Sequence, residues 1–230
     1  MTSVSIIIPV YNESATIVQI LEKVRAQNVA GFRFDVVVID DGSRDGTSDI
    51  LRAHPHLYDN LIALQKNGGK GAAVMAGLAQ AKGDYILFQD ADLEYDPADY
   101  PKLLEPVKMF NADIVMGSRF RSPSVARVSF FWHWMGNKTV TLLFNMLNNL
   151  TFTDIYSCYL LYRRSLVDHR TLWSAGWDQQ AEILSLAVRN AKNIYEVPIS
   201  YRGRSYEEGK KIRGFHAAAV IWTIVKKRFF

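Results

Sequence analysis

Tyr85-Ile86-Leu87-Phe88-Gln89-Asp90-Ala91-Asp92-Leu93-Glu94 joins a four-residue apolar run to three acids. The run lies between Gly83 and Pro97. It is too apolar to face water, so it reads as a buried strand of a parallel sheet. Carboxylates at the carboxyl end of such a strand sit where open α/β sheets bind ligands. Taken alone, Asp-x-Asp also suits a turn that caps a helix. Acids gathered this closely repel one another, and a hard divalent cation carrying a phosphorylated substrate is their natural complement.

The segments on either side repeat the pattern. Ser3 to Val10 is a β-branched run ending near Pro9, which reads as a central strand. Tyr11-Asn12-Glu13 makes the turn, and Ser14 is expected to cap a helix whose Ile17, Ile20, Leu21 and Val24 recur at helical spacing. Phe34 to Ile39 is a second buried strand closed by Asp40-Asp41-Gly42-Ser43, and Asp45-Gly46-Thr47 leads into another helix. Leu61 to Leu64 is a short third strand. Asn67-Gly68-Gly69-Lys70-Gly71 then opens a helix from Ala72 to Ala81, where glycine would let a ligand approach the backbone and the helix N-terminus favours anions. The spacing is not that of a Walker loop, because Lys70 lies inside the glycine cluster. A helix from about Ala98 to Phe110 and a fifth strand, Asp113 to Gly117, end at Ser118-Arg119. Successive βα units predict a mostly parallel central sheet with flanking helices and right-handed crossovers.

Beyond Arg127 the character changes. Phe130, Phe131, Trp132, Trp134, Met135, Val140, Phe144 and Leu147 give the stretch to Phe152 a rich apolar face. It suits either a core-packing helical hairpin or an interfacial segment with aromatics at headgroup depth. Asp154 precedes a strand at Tyr159 to Tyr162, Trp177-Asp178 opens a helix to about Asn190, and Ile194 to Ile199 is a last strand. A charged loop, Arg202 to Lys211, leads to an amphipathic helix from Phe215 to Phe230.

With 230 residues and 49% hydrophobic content, the chain can bury one good-sized core. Its net charge of +4 is unevenly placed: residues 202 to 230 carry +6 and the remainder −2. That argues against a general nucleic-acid binder and for a basic element facing phosphates or an anionic membrane surface. The single Cys158 excludes an intrachain disulfide and reads as a small buried hydrophobe. No signal peptide and no apolar run of the ~18 residues needed to span a bilayer is visible, so a soluble or peripheral chain is expected.

Tyr11 and Glu13 follow the first strand, Asp40 and Asp41 the second, and Asp90, Asp92 and Glu94 the fourth. In a parallel sheet these emerge at one edge, with Lys70 near by, and converge on a single crevice. An aromatic ring there can stack on a base, acids can accept from ribose hydroxyls, and a metal can neutralise a diphosphate.

Ile7-Ile8-Pro9-Val10-Tyr11-Asn12-Glu13, Ile39-Asp40-Asp41-Gly42-Ser43, Gly69-Lys70-Gly71, Asp90-Ala91-Asp92-Leu93, Gly117-Ser118-Arg119, Thr153-Asp154, Glu196-Val197-Pro198-Ile199 and the run from Gly203 to Lys211 occur in this order over nearly the whole chain. Together they resemble family 2 glycosyltransferases of the GT-A fold, in particular the polyprenyl-phosphate (dolichol-phosphate) mannose synthases and related polyprenyl-phosphate glycosyltransferases. The resemblance implies that Pro9, Tyr11, Glu13, Ile39 and Asp41 cradle the base and ribose, that Asp90 and Ala91 hold the nucleoside, and that Asp92 and Glu94 bind Mg²⁺ or Mn²⁺. Glu94 departs from the glutamine of the best-known mannose synthases. Arg119, Arg204 and Lys210 would meet the donor diphosphate or lipid phosphate, and Lys70 is a further candidate for binding the nucleotide sugar. By the same resemblance residues 1–120 form the nucleotide-sugar half, 121–212 the acceptor half, and 213–230 a basic helix at the cytoplasmic face of the membrane. The C-terminal membrane spans of some relatives are not in this sequence.

The chemistry so implied is an inverting transfer of a sugar, mannose or glucose, from a GDP- or UDP-sugar to a polyprenyl phosphate, with Asp92, Arg119, Asp154 and Arg204 as the catalytic candidates. A phosphate nucleophile is already ionised at neutral pH and needs no base. A saccharide hydroxyl would need one, for which Asp154, and then Asp178 or Glu182, are available. A sugar nucleotidyltransferase and a non-catalytic nucleotide-sugar-binding protein are the rival readings. The first usually carries a glycine-rich, basic N-terminal loop that Pro9 to Glu13 does not supply.

Overall fold

The computed structural model describes residues 1–121, 128, 130–203 and 216–229. Arg204 and Lys210 therefore lie outside the described residues. Among the described residues, seven strands form one sheet: β1 (Thr2–Val10), β2 (Phe32–Asp40), β3 (Asn60–Ala63), β4 (Tyr85–Phe88), β5 (Ile114–Ser118), β6 (Leu160–Arg163) and β7 (Ile194–Pro198), in the order β3-β2-β1-β4-β6-β5-β7. β1 runs parallel to β2 and β4, and β2 to β3, with Ile7 opposite both Val37 and Phe88. β6 is the exception. It runs antiparallel to both β4 and β5, while β5 and β7 are parallel.

The central strands are apolar because they have no wet face: Val4, Ile6, Ile7, Ile8, Val37, Val38 and Ile39 are fully buried. Among the described residues, seven α-helices connect or cover them: α1 (Ile17–Arg25), α2 (Thr47–Ala53), α3 (Lys70–Gln80), α4 (Tyr100–Phe110), α5 (Phe131–Asn148), α6 (Gln179–Asn190) and α7 (His216–Phe229). α3 packs on β1 and β2 at Gly77, where a Cβ would come within 2.9 Å of Ile7 and closer still to Ile39.

Several local expectations change. Ser14 caps nothing: α1 starts at Ile17, and Thr16 at its N-cap turns its hydroxyl to the carbonyl of Ala91 at 2.8 Å. α3 begins at Lys70, two residues before the expected start, because Gly69 takes a left-handed φ of 91° and releases the next residue into the helix. A short 3₁₀ turn, Pro97–Asp99, capped by the Asp96 side chain, precedes α4. The aromatic stretch is one helix and not a hairpin. In α5, Val140, Thr141 and Phe144 are buried, whereas Phe131 and Trp132 near its start are exposed, Trp132 by 78%. The C-terminal helix is docked: Val220, Thr223 and Ile224 are buried, and α7 packs against α5 and α6. Its Trp222 and Phe229 face outward.

Candidate active site

A cleft of about 520 Å³ opens over the carboxyl ends of β1, β2 and β4. Pro9, Tyr11, Glu13, Asp41, Lys70, Asp90, Ala91, Asp92, Glu94 and Arg119 all line it. Ile39 does not, for its side chain is fully buried in the core beside Gly77.

The acidic loop is held by a buried polar anchor. Gln89 has no exposed surface, accepts from the hydroxyls of Tyr100 and Tyr159 at 2.9 and 2.8 Å, and donates to the Asp90 carbonyl at 3.0 Å. Beyond it Leu93 adopts φ 64°, a left-handed conformation costing a leucine about 1–2 kcal/mol. Surrounding contacts over-determine that conformation: the Glu94 N–H donates to Asp92 Oδ1 at 3.1 Å, the Arg202 N–H to the Glu94 carbonyl at 2.9 Å, and the Tyr201 hydroxyl to Glu94 Oε2 at 2.9 Å. The strain turns Asp92 and Glu94 toward one cleft.

Asp90 pairs with Lys70, Nζ to Oδ1 2.6 Å. Burial works against the ammonium, but Asp90, Cys158 and Asp92 together hold its pKa above the ordinary lysine value. Trp177 lies under the same ammonium, 5.5 Å away. Lys70 therefore joins the carboxylates from the start of α3, where strand order alone left its place open.

Asp41 is spent on backbone. Its two oxygens accept from the Gly68 and Gly69 amides at 2.8 and 3.0 Å. Burial raises its pKa, the two amides oppose that rise, and Asp40 adds to it. The glycine cluster, too, serves the protein's own backbone: the Gly71 N–H donates to the Ala175 carbonyl at 2.9 Å, and a Cβ on Gly71 would overlap Ser174 and Ala175. The expected open approach of a ligand at Gly71 is filled by the loop before α6.

Arg119 is the other fixed cation. Its Nε and Nη2 reach the two oxygens of Asp154 at 2.7 and 2.9 Å, and Nη2 also donates to the Tyr156 carbonyl at 3.1 Å. The Tyr201 ring lies 5.1 Å from the guanidinium. Asp154 is completely buried and lies outside the cleft lining. Burial opposes its charge, yet Arg119 and the Asn137 amide hold its carboxyl below the usual range. A carboxylate so engaged orients Arg119 and is no proton acceptor for a substrate in the cleft. Asp178 and Glu182 are likewise engaged: Asp178 accepts from Ser174 and Thr223 hydroxyls, and Glu182 from the Trp173 and Ser174 amides and Lys227.

Among the described residues no group of three or more His, Cys, Asp or Glu is arranged to hold a metal. Asp92 and Glu94 provide two hard oxygen donors on the cleft wall. That set fits Mg²⁺ or Mn²⁺, which commonly bind through one or two carboxylates, with substrate phosphates and water completing the shell.

The resemblance gave the far wall only as the acceptor half, without assigning its lining residues, which are Trp132, His133, Gly136 and Val140 of α5 and Ala217 and Val220 of α7, with Gln179 and Gln180 of α6 alongside. The aromatic content of α5 was the available signal. Cys158, read only as a core hydrophobe, is indeed buried and also touches this cleft beside Asp90.

The profile of Glycosyl transferase family 2 matches residues 5–171. An undecaprenyl-phosphate 4-deoxy-4-formamido-L-arabinose transferase from Pseudomonas syringae pv. syringae is 32% identical over 212 residues, and one from Pseudomonas aeruginosa 31%; in each case 90% of this chain aligns. The chain spans 60% of the length of these relatives. Among solved structures, glucosyl-3-phosphoglycerate synthase from Mycobacterium tuberculosis, in complex with Mn²⁺, UDP-glucose and phosphoglyceric acid, superposes with a TM-score of 0.71 at 20% identity, covering 99% of this chain and 80% of that one. The architecture is the GT-A fold, with its mostly parallel seven-stranded sheet and flanking helices.

Proposed function

The chain belongs to glycosyl transferase family 2, and from that membership we infer that it moves a sugar from a nucleotide diphosphate to a polyprenyl phosphate at a membrane surface. The observation that carries the reading is the continuity of the cleft. One end has Tyr11, Asp92, Glu94, Lys70 and Arg119, and the other runs between α5 and α7 beneath an exposed aromatic face. A nucleoside diphosphate suits the first end, and a lipid phosphate entering from an interface suits the second. The names of the curated relatives, which act on undecaprenyl phosphate, support the acceptor class.

In this reading Tyr11 and Glu13 receive the base and ribose, with Pro9 and Ala91 completing the wall, while Asp41 shapes the pocket by holding the Gly68-Gly69 turn. Asp92 and Glu94 would hold a divalent ion, which when bound neutralises charge building on the departing diphosphate. Arg119, fixed by Asp154, and Lys70, held by Asp90, present positive charge to the phosphates without rearranging, which is where preorganised electrostatics contribute most. Arg204 and Lys210, outside the described residues, are proposed to add to that charge. The three carboxylates that could have served an alcohol acceptor as base are engaged with the protein's own donors. A phosphate acceptor, with a second pKa near ~6, is ionised without one.

The sugar is proposed to be mannose or glucose by the resemblance, with 4-deoxy-4-formamido-L-arabinose as the alternative favoured by the relatives' names. Among the described residues no helix is long and apolar enough to cross a membrane. Contact with the bilayer, proposed at its inner face, would instead use the aromatic start of α5 and the outer face of α7. The test is transfer from GDP-mannose, UDP-glucose and a nucleotide-activated formamido-arabinose to a short polyprenyl phosphate, followed by product mass. Transfer to a saccharide hydroxyl but to no polyprenyl phosphate would overturn the reading.

A further inference from the structure

The N-cap and first turn of α6 carry two carboxylates that bind the same two elements, the 173–175 loop and α7. Glu182 is fully buried and accepts from the Ser174 N–H at 2.9 Å and from Lys227 Nζ of α7 at 2.9 Å. Asp178, four residues earlier, accepts from the Ser174 hydroxyl and from the Thr223 hydroxyl of α7, each at 2.7 Å. Glu182, which also accepts from the Trp173 N–H, and Asp178 thus each tie the 173–175 loop to the C-terminal helix. The loop is the surface on which the start of α3 rests. The Gly71 N–H bonds to the Ala175 carbonyl, and a Cβ at Gly69 would lie 2.8 Å from that same oxygen. Lys70 stands between those glycines with Trp177 beneath its ammonium.

We propose that α7 is the latch that positions Lys70, with Lys227 and Thr223 as positioning residues acting through Glu182 and Asp178 on the 173–175 loop. This rests on the reading of Lys70 as a donor-phosphate contact. The close approach at Gly69 and Gly71 leaves the loop no room to shift without carrying Lys70 with it. Displacements on the order of 1 Å at such a group can change rates by as much as a hundredfold. Among the described residues, removing Lys227 leaves the buried Glu182 carboxylate with the Trp173 and Ser174 amides alone, which releases the loop and not just the helix end.

Hydrogen exchange on the full chain tests the linkage without any transfer assay. In Lys227→Met, amides of residues 69–75 and 173–175 are expected to exchange about tenfold faster than in the unsubstituted chain, with β1 and β2 unchanged, since exchange reports the opening of each cooperative unit. Lys227→Arg is expected to restore slow exchange. Faster exchange confined to residues 216–229 would overturn the proposal. Should Lys227→Met not fold, Thr223→Val, which keeps the ion pair and loses one hydroxyl bond, takes its place in the same comparison. Calorimetry with UDP or GDP in MnCl₂ supplies the second arm. Lys227→Met is expected to weaken the nucleotide that the unsubstituted chain binds by about tenfold, and to add nothing in a Lys70→Met background, as residues acting through one another are non-additive. Equal affinity in Lys227→Met and the unsubstituted chain overturns the positioning of Lys70. Failure of the unsubstituted chain to bind either nucleotide overturns the donor reading instead, and the exchange result still decides the latch.

Discussion

Replacing Asp154 by alanine tests whether Arg119 is held by charge. The side chain of Asp154 is 0% exposed and that of Arg119 only 15%, and the substitution removes bonds of 2.7 and 2.9 Å to the guanidinium together with one of 3.1 Å to the Arg119 amide. Leaving a buried cation without its partner costs about 3–5 kcal/mol. For a domain of this size each kcal/mol lowers Tm by about 2–4 °C, so a fall of roughly 6–20 °C is expected. The sign with pH follows from the lowered carboxyl of Asp154. Its contribution is complete above the unfolded value of about 3.9 and disappears as pH falls through the lower folded value. Thermal melts of both proteins by circular dichroism, from pH 7 down to pH 2, should show the gap narrowing only below about pH 4. The double variant Arg119→Met with Asp154→Leu should recover more than half of the lost stability, because no charge is then left unpaired. A double variant as unstable as Asp154→Ala, or a gap that does not change with pH, would refute the electrostatic account and leave packing as the cause.

Asp92→Asn is expected to lower transfer at least about a hundredfold with Tm within about 2 °C of the unsubstituted chain, because it removes one of the two carboxylates proposed to hold the metal from a partly exposed loop; full activity of either protein in excess EDTA would exclude the metal assignment. Asp41→Ala should cost about 2–4 kcal/mol in urea unfolding, since two amides lose a charged acceptor, whereas Tyr11→Ala should weaken nucleotide binding with little effect on stability. Equal stability losses in the two would contradict the distinction. Trp132→Asp should reduce co-sedimentation with anionic vesicles by about tenfold, near 1.4 kcal/mol, as an exposed aromatic becomes a charge at the surface; unchanged sedimentation would move the contact elsewhere.

Much of the fold was legible because its signals are local. Continuous β-branched runs named β1 and β2, helical spacing named α1, and acids after strand ends marked the cleft edge. Ser14 misled because a helix boundary depends on which group the N-terminal amides meet, and here the Ser14 N–H goes to Asp45, 31 residues away. Ile39 was placed at the site by motif, yet its side chain alternates into the core. Asp154 looked available as a base because nothing near it in sequence shows that Arg119, 35 residues earlier, will take both of its oxygens.

By itself, then, the sequence determined a mostly parallel sheet, the carboxylates and cations gathered at its carboxyl edge, and the family to which these belong. Periodicity and turn chemistry act over a few residues, and the parallel direction of β1, β2 and β4 puts their carboxyl ends on a common edge. Tertiary structure alone decided what each charged group is for. Asp41 meets Gly68 and Gly69 across 28 residues or fewer, the 173–175 loop comes under Gly71, and Glu182 meets Lys227 across helices. Buried charges must be paired with whatever the fold brings within reach, and no local pattern records that partner.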